Sequence, residues 1–226
     1  MMIKAIVTDI EGTTSSIDFV HESLFPYARK HMRQFLRDNA GDERVQLELH
    51  EVEKVEGEDL SLDDAADVLE RWIAEDRKYT PLKALQGMIW AQGYAAGELK
   101  GHVYPDTPDY LRRWHQAGLS LFVYSSGSVE AQQLIFGHSQ AGDLRPLFSG
   151  YFDTRVGAKR EVDAYRRIAE RVELAPDSIL FLSDIGAELD AAQAAGFQTC
   201  QLLRDDKAVP AEGHRQARDF SEVILG

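Results

Sequence analysis

Ile3-Lys4-Ala5-Ile6-Val7-Thr8 runs straight into Asp9-Ile10-Glu11-Gly12-Thr13-Thr14, and the fold follows from this junction. The first six residues are mostly apolar and rich in β-branched side chains, as a strand buried on both faces requires. The next six are a polar turn containing a glycine. The junction therefore predicts an internal strand that ends on two carboxylates.

The same strand-then-polar-turn pattern recurs downstream. Leu119 to Tyr124 is a second apolar run, ending in Ser125-Ser126-Gly127-Ser128. Ser178 to Leu182 is a third, ending in Ser183-Asp184, and Gln198 to Leu203 is a fourth. Helical signals separate them: Thr107-Pro108 opening a helix to about Ala117, then Ser128 to Phe136, 161 to 172 and Ala187 to Ala195. Strands that alternate with helices imply an α/β fold with a doubly wound parallel sheet.

Residues 19 to 100 break this rhythm. Pro26 opens a helix carrying Met32, Phe35 and Leu36, which stops near Asn39-Ala40-Gly41. A second helix carries Val45, Leu49, Val52 and Val55. A third starts at Ser61 with Asp64 three residues on, and its stripe is Ala65, Val68, Leu69, Trp72 and Ile73. A fourth opens at Thr80-Pro81 and carries Leu82, Leu85, Met88 and Ile89. With no strand expected here, the segment reads as an inserted helical subdomain. The predicted organisation is a core of 1–18 and 101–226 with a helical cap of 19–100. The polar tail, roughly 205 to 226, carries no clear element.

Composition narrows the function classes. The chain has 226 residues, 44% of them hydrophobic, so it can bury a substantial core. Its formal net charge of −13 disfavours nucleic acid and anionic membranes as partners. The apolar start is too short for a signal peptide, and no stretch is long enough to span a bilayer. The single cysteine, Cys200, has no partner within the chain for a disulfide. A cytoplasmic protein is expected. The seven histidines lack zinc-ligand spacing, and neither Gly-rich nucleotide motifs nor a nucleophile-elbow serine occurs.

In an open parallel sheet, ligands bind beyond the carboxyl ends of the strands. Asp9 with Glu11, Ser125 with Ser126, and Asp184 are all expected on that edge. Paired carboxylates can divide labour between nucleophile or metal ligand and proton carrier. Equally, Asp9 to Gly12 can be an ordinary strand-ending turn. Serines at a helix N-terminus suit a phosphate, or they simply flank an N-cap at Ser128. Lys159, just before a predicted helix, either neutralises an anion or is solvated. Asp184 either holds Mg²⁺ with Asp9 or caps the next helix.

Together these clusters resemble the haloacid dehalogenase superfamily of phosphotransferases. That superfamily has a nucleophilic Asp after strand one, a Ser or Thr after strand two, a Lys before a later helix and an acidic residue after a further strand. Asp9 to Thr14 resembles the first motif of the enolase-phosphatases, or acireductone synthases, of methionine salvage. Glu11, two residues after the nucleophile where most of the superfamily has Asp, is the discriminating position. Tyr124 to Gln132, Phe136 to Ser139, Ser149 to Thr154, Phe181 to Asp184 and Glu188 to Ala192 are similar to that family as well. Ser15 and Ala164 depart from it, at positions with no proposed catalytic group.

The resemblance implies a substrate, 2,3-diketo-5-methylthiopentyl 1-phosphate, that is enolised and then dephosphorylated to an acireductone. It implies Asp9 as nucleophile, with Glu11 as proton carrier or, by side chain or carbonyl, metal ligand. Mg²⁺ would be held by Asp9, Glu11 and Asp184, and phosphate by Ser125, Ser126 and Lys159. A monomer is expected on the same ground. The alternatives are a phosphatase of another small ester and a non-catalytic binding protein on the same fold. A metal-free dehalogenase would leave Asp184 without a purpose.

Overall fold

A computed structural model describes residues 2–205 and 208–225. By contact, the chain divides into two compact units: Met1–Ile17 with Gly101–Gly226, and Asp18–Lys100.

The first unit is built on six parallel strands, β1 (Ala5–Thr8), β2 (Ser120–Tyr124), β3 (Gly150–Phe152), β4 (Ile179–Ser183), β5 (Gln198–Leu202) and β6 (Arg215–Ala217). Their order is β3-β2-β1-β4-β5-β6. Its helices are α6 (Thr107–Gln116), α7 (Val129–Gly137), α8 (Val162–Val172) and α9 (Gly186–Ala194). The expected doubly wound sheet is present. On one face Ala5, Val7, Ile179 and Phe181 pack with Tyr165 and Ile168 of α8 and Leu189 of α9. Residues of the opposite phase, Ile6, Leu121, Val123, Leu180 and Leu182, are buried too, which is why these strands read as continuous apolar runs.

The order reverses at β1, so β2 and β4 flank it. Thr8 is level with Val123 on one side and Leu182 on the other. The chain ends of these three strands therefore meet at one edge, where such sheets bind ligands.

The second unit is helical. A turn, α1 (Ile17–Phe19), passes through a π turn at Val20–Leu24 into α2 (Phe25–Asp38), with Pro26 in the first turn of α2. Then come α3 (Glu43–Glu56), α4 (Leu62–Ala74) and α5 (Thr80–Ala95). Asp42 and Ser61 cap α3 and α4 by accepting from Arg44 N and Asp64 N. Met32, Leu36, Val52, Leu69, Trp72, Leu82 and Leu85 form its core.

The sequence reading needs three adjustments. β3 and β6 were not expected, so the strand of Ser178–Leu182 is the fourth and not the third. Val55 is exposed, because the α3 stripe is complete with Val45, Leu49 and Val52. The tail contributes β6 and a short 3-10 turn, Phe220–Glu222.

Candidate active site

Asp9 is the first residue past β1, and its backbone still bonds to the sheet through Leu182 O at 2.8 Å. The chain then curls around one carbonyl. Ile10 O accepts from the backbone N–H of Thr13, Thr14 and Ser15 at 3.1, 2.9 and 2.9 Å. The Thr14 hydroxyl donates to Asp9 O at 3.2 Å. Gly12 has φ +72°, and a Cβ there would overlap the Asp184 carboxylate. Only glycine lets this turn come so close to the end of β4.

Asp9 is buried, and its Oδ1 accepts from Ile10 N at 2.8 Å. Lys159 Nζ lies 2.6 Å from the same oxygen and 2.7 Å from Glu188 Oε2. The Ser183 hydroxyl donates to Glu188 Oε2 at 2.9 Å and lies 3.4 Å from Asp9 Oδ2. Lys159 is set in place by its backbone. Tyr165 OH donates to Lys159 O at 2.7 Å, and Tyr124 OH donates to Gly157 O at 2.9 Å. A Cβ on Gly157, at φ +140°, would press within 2.8 Å of Ala164 Cβ. Lys159 is thus no solvated surface lysine. Burial opposes its charge, but Asp9 and Glu188 outweigh burial and hold the ammonium protonated.

Ser125 ties β2 to the same site. Fully buried, it donates to Glu11 Oε2 at 3.2 Å and accepts from Gly127 N at 3.1 Å. Burial first, then Asp9, pushes the Glu11 carboxyl above its ordinary range. Burial and Asp9 also push Asp184 up, to about 7, and Glu188 rises for the same reasons. Ser126, next to Ser125, is exposed. Ser128 is the N-cap of α7, accepting from Ala131 N. Asp184 does not cap α9: the capping position belongs to Ile185, with no side-chain cap bond.

Asp9, Glu11, Asp184 and Glu188 set four carboxylates against the single ammonium of Lys159, and three of the four are pushed toward protonation. That excess of buried oxygen-centred charge fits a hard divalent cation such as Mg²⁺. Among the described residues no three His, Cys, Asp or Glu side chains form a preassembled cage. Mg²⁺ needs only one or two carboxylates and otherwise keeps waters or binds substrate phosphate.

The sequence reading did not include Glu188 or Ser183 in the site. The signal for Glu188 was its place in the first turn of the helix after Asp184, at a position the apolar stripe buries.

Known proteins resemble this chain along nearly its whole length. A family model described as haloacid dehalogenase-like hydrolase matches residues 3–196. The chain is 59% identical over 224 residues to an enolase-phosphatase E1 of Pseudomonas savastanoi, covering 99% of this chain and 98% of that one. It is 54% identical over 226 residues to an enolase-phosphatase E1 of Pseudomonas aeruginosa, covering 100% of both. Among solved structures, the UTR4 protein of Saccharomyces cerevisiae matches with a TM-score of 0.83 at 31% identity, over 98% of this chain and 100% of that one. A dehalogenase matches with a TM-score of 0.59 at 19% identity, over 97% of this chain and 95% of its own, a likeness of fold alone.

Proposed function

The chain belongs to the haloacid dehalogenase-like hydrolases and, within them, to the enolase-phosphatases, and on that footing we propose that it enolises 2,3-diketo-5-methylthiopentyl 1-phosphate and then hydrolyses the phosphate from Asp9. The product is the acireductone 1,2-dihydroxy-3-keto-5-methylthiopentene, and the setting is methionine salvage. The observation that carries the assignment of Asp9 is its buried carboxylate, fixed by Lys159 at 2.6 Å at the end of the central strand.

A carbon-bound proton next to a carbonyl is acidic enough for a positioned carboxylate to remove. In the second step an oxygen of Asp9 bonds to phosphorus as the bond to the enol's oxygen breaks. Oδ1 is occupied by Lys159 and Ile10 N, which leaves Oδ2 the less engaged oxygen. Glu11 protonates the departing oxygen. Burial and Asp9 raise its pKa, which favours the protonated form that a general acid needs. It then takes a proton from water, which attacks phosphorus and releases phosphate and free Asp9. Lys159, Ser126 and the turn at Ser125 hold the phosphate, and Ser125 also orients Glu11 through their hydrogen bond.

Asp9, Asp184 and Glu11 would hold Mg²⁺, which when bound offsets the charge that otherwise keeps a phosphate from a carboxylate. Because the Glu11 carboxylate is engaged by Ser125, its backbone carbonyl is the better candidate for that contact. We place the protein in the cytoplasm as a monomer. No helix among the described residues is long and apolar enough to cross a membrane, and Cys200 is a buried free thiol.

The test is to incubate the protein with the diketo phosphate and Mg²⁺. The reading predicts an ultraviolet-absorbing enol, then acireductone with an equal amount of phosphate. Phosphate release without acireductone would point to a phosphatase of another ester. Neither product would leave a binding protein.

A further inference from the structure

The turn from Asp9 to Ser15 satisfies most of its polar groups internally, around Ile10 O. Two carbonyls reach outward instead. Thr14 O accepts from Tyr104 N at 2.9 Å and from the Thr107 hydroxyl at 3.3 Å. Thr13 O accepts from Arg204 Nε at 2.9 Å.

Arg204 comes from far along the chain, two residues past β5. Its side chain is only 5% exposed, and Nη1 donates to Asp106 Oδ1 at 2.8 Å. The other oxygen of Asp106 accepts from Phe220 N at 2.9 Å. The guanidinium lies against the Tyr104 ring at 4.5 Å and the Phe220 ring at 4.7 Å. Phe220 in turn packs on Trp114 of α6, ring centroids 4.9 Å apart. One planar group therefore joins the Asp9 turn, the segment leading into α6, and the C-terminal tail. Arg204 and Phe220 lie beyond residue 196, where the match to the family model stops.

Stability is a poor explanation for this arrangement. Arg204 Nη2 is buried and has no acceptor among the described residues. A whole buried ion pair is often no more stable than apolar side chains of the same volume in its place, although removing one partner alone is costly. What the guanidinium does supply is direction. Its fork serves Thr13 O and Asp106 at once, which a lysine ammonium cannot reproduce. From Thr13 the constraint passes to Thr14, whose hydroxyl holds Asp9 O.

We propose that Arg204, seated by Asp106 and the tail residue Phe220, is a positioning residue that holds the Asp9 turn in its attacking geometry. The inference rests on the reading of Asp9 as nucleophile. It gives the C-terminal tail a task in the reaction without any contact with the substrate.

The test uses the full chain with Mg²⁺ and the diketo phosphate, comparing Arg204→Met, Arg204→Lys and Asp9→Asn. Displacing a reacting group by a fraction of an ångström costs rate and not affinity, so Arg204→Met should lose about tenfold or more in kcat with KM within about twofold. Its thermal midpoint should fall, because Asp106 and Thr13 O lose their buried partner, so rates are counted per folded molecule. Arg204→Lys should fold normally and lose kcat to a lesser degree. A fourth variant, Arg204→Ala, should lose kcat and regain it with added guanidinium while its KM and its folded fraction stay unchanged. Wild-type kcat in Arg204→Met or in Arg204→Lys would overturn the proposal, and so would a loss that disappears when rates are counted per folded molecule. Phosphate release by Asp9→Asn would sink the nucleophile reading itself. An inactive Asp9→Asn beside fully active Arg204 variants would sink only this inference.

Discussion

Lys159 Nζ stands 2.6 Å from Asp9 Oδ1 and 2.7 Å from Glu188 Oε2, so one buried ammonium bridges the first carboxylate after β1 and a carboxylate on α9. All three side chains are nearly closed off from water. Removing the ammonium would strand two buried charges. Lys159→Met should therefore destabilise the protein by about 3–5 kcal/mol, the usual cost of breaking such a pair. It should also abolish phosphate release. Denaturant unfolding and a phosphate assay check both.

Gly12 is a second sharp point. Its positive φ and the Asp184 carboxylate pressed against it leave no room for a methyl group. Gly12→Ala should push the turn away from β4 and cost activity far more than stability. Kinetics together with a thermal melt separate the two effects.

Asp184 should trade stability for function. Its folded pKa of about 7 lies above the ordinary carboxylate value of about 3.9. The folded state thus favours the neutral acid. This group's stabilising contribution is complete below the unfolded value and is lost as pH rises toward 7. Asp184→Asn removes that penalty. In chelator at about pH 8 it should melt higher than the wild type, yet gain much less from added Mg²⁺. A variant that melts lower in chelator and still responds fully to Mg²⁺ would contradict this.

His102 offers a pH test away from the carboxylates. Its Nδ1 accepts from Ser16 N at 3.1 Å, so the neutral ring carries its proton on Nε2. Burial pushes its pKa down. The unfolded chain binds this proton first, so stability is full above the unfolded value of about 6.5 and falls as pH drops below it. His102→Gln should flatten that fall between about pH 7 and 5, as seen in thermal midpoints across the range.

Much of this architecture is legible in the sequence because buried parallel strands announce themselves. β1, β2 and β4 are continuous apolar runs that each end in a polar turn, and their meeting at one edge follows from the winding rule. Helices with full stripes and side-chain caps, such as α4 behind Ser61, are equally plain. β3 and β6 are edge strands of three residues each, too short to show a period. The π turn at Val20–Leu24 has no sequence signature of its own. Glu188 leaves a local trace in the first turn of α9, but its pairing with Lys159, like that of Arg204 with Asp106, joins residues distant in the chain, which no local pattern records. The same holds for Lys159, which on sequence alone reads more readily as a solvated lysine and whose pairing with Asp9 is visible only in three dimensions.

The central claim is that phosphate passes through Asp9. Mixing the enzyme with the diketo phosphate and Mg²⁺, quenching in acid within the first turnover, and mapping phosphorylated peptides by mass spectrometry tests it directly. The account predicts an acid-stable, hydroxylamine-sensitive phosphoryl group on Asp9. It also predicts that Asp9→Asn forms no such adduct and releases no phosphate. An adduct on another residue, or turnover by Asp9→Asn at the wild-type rate, would contradict it.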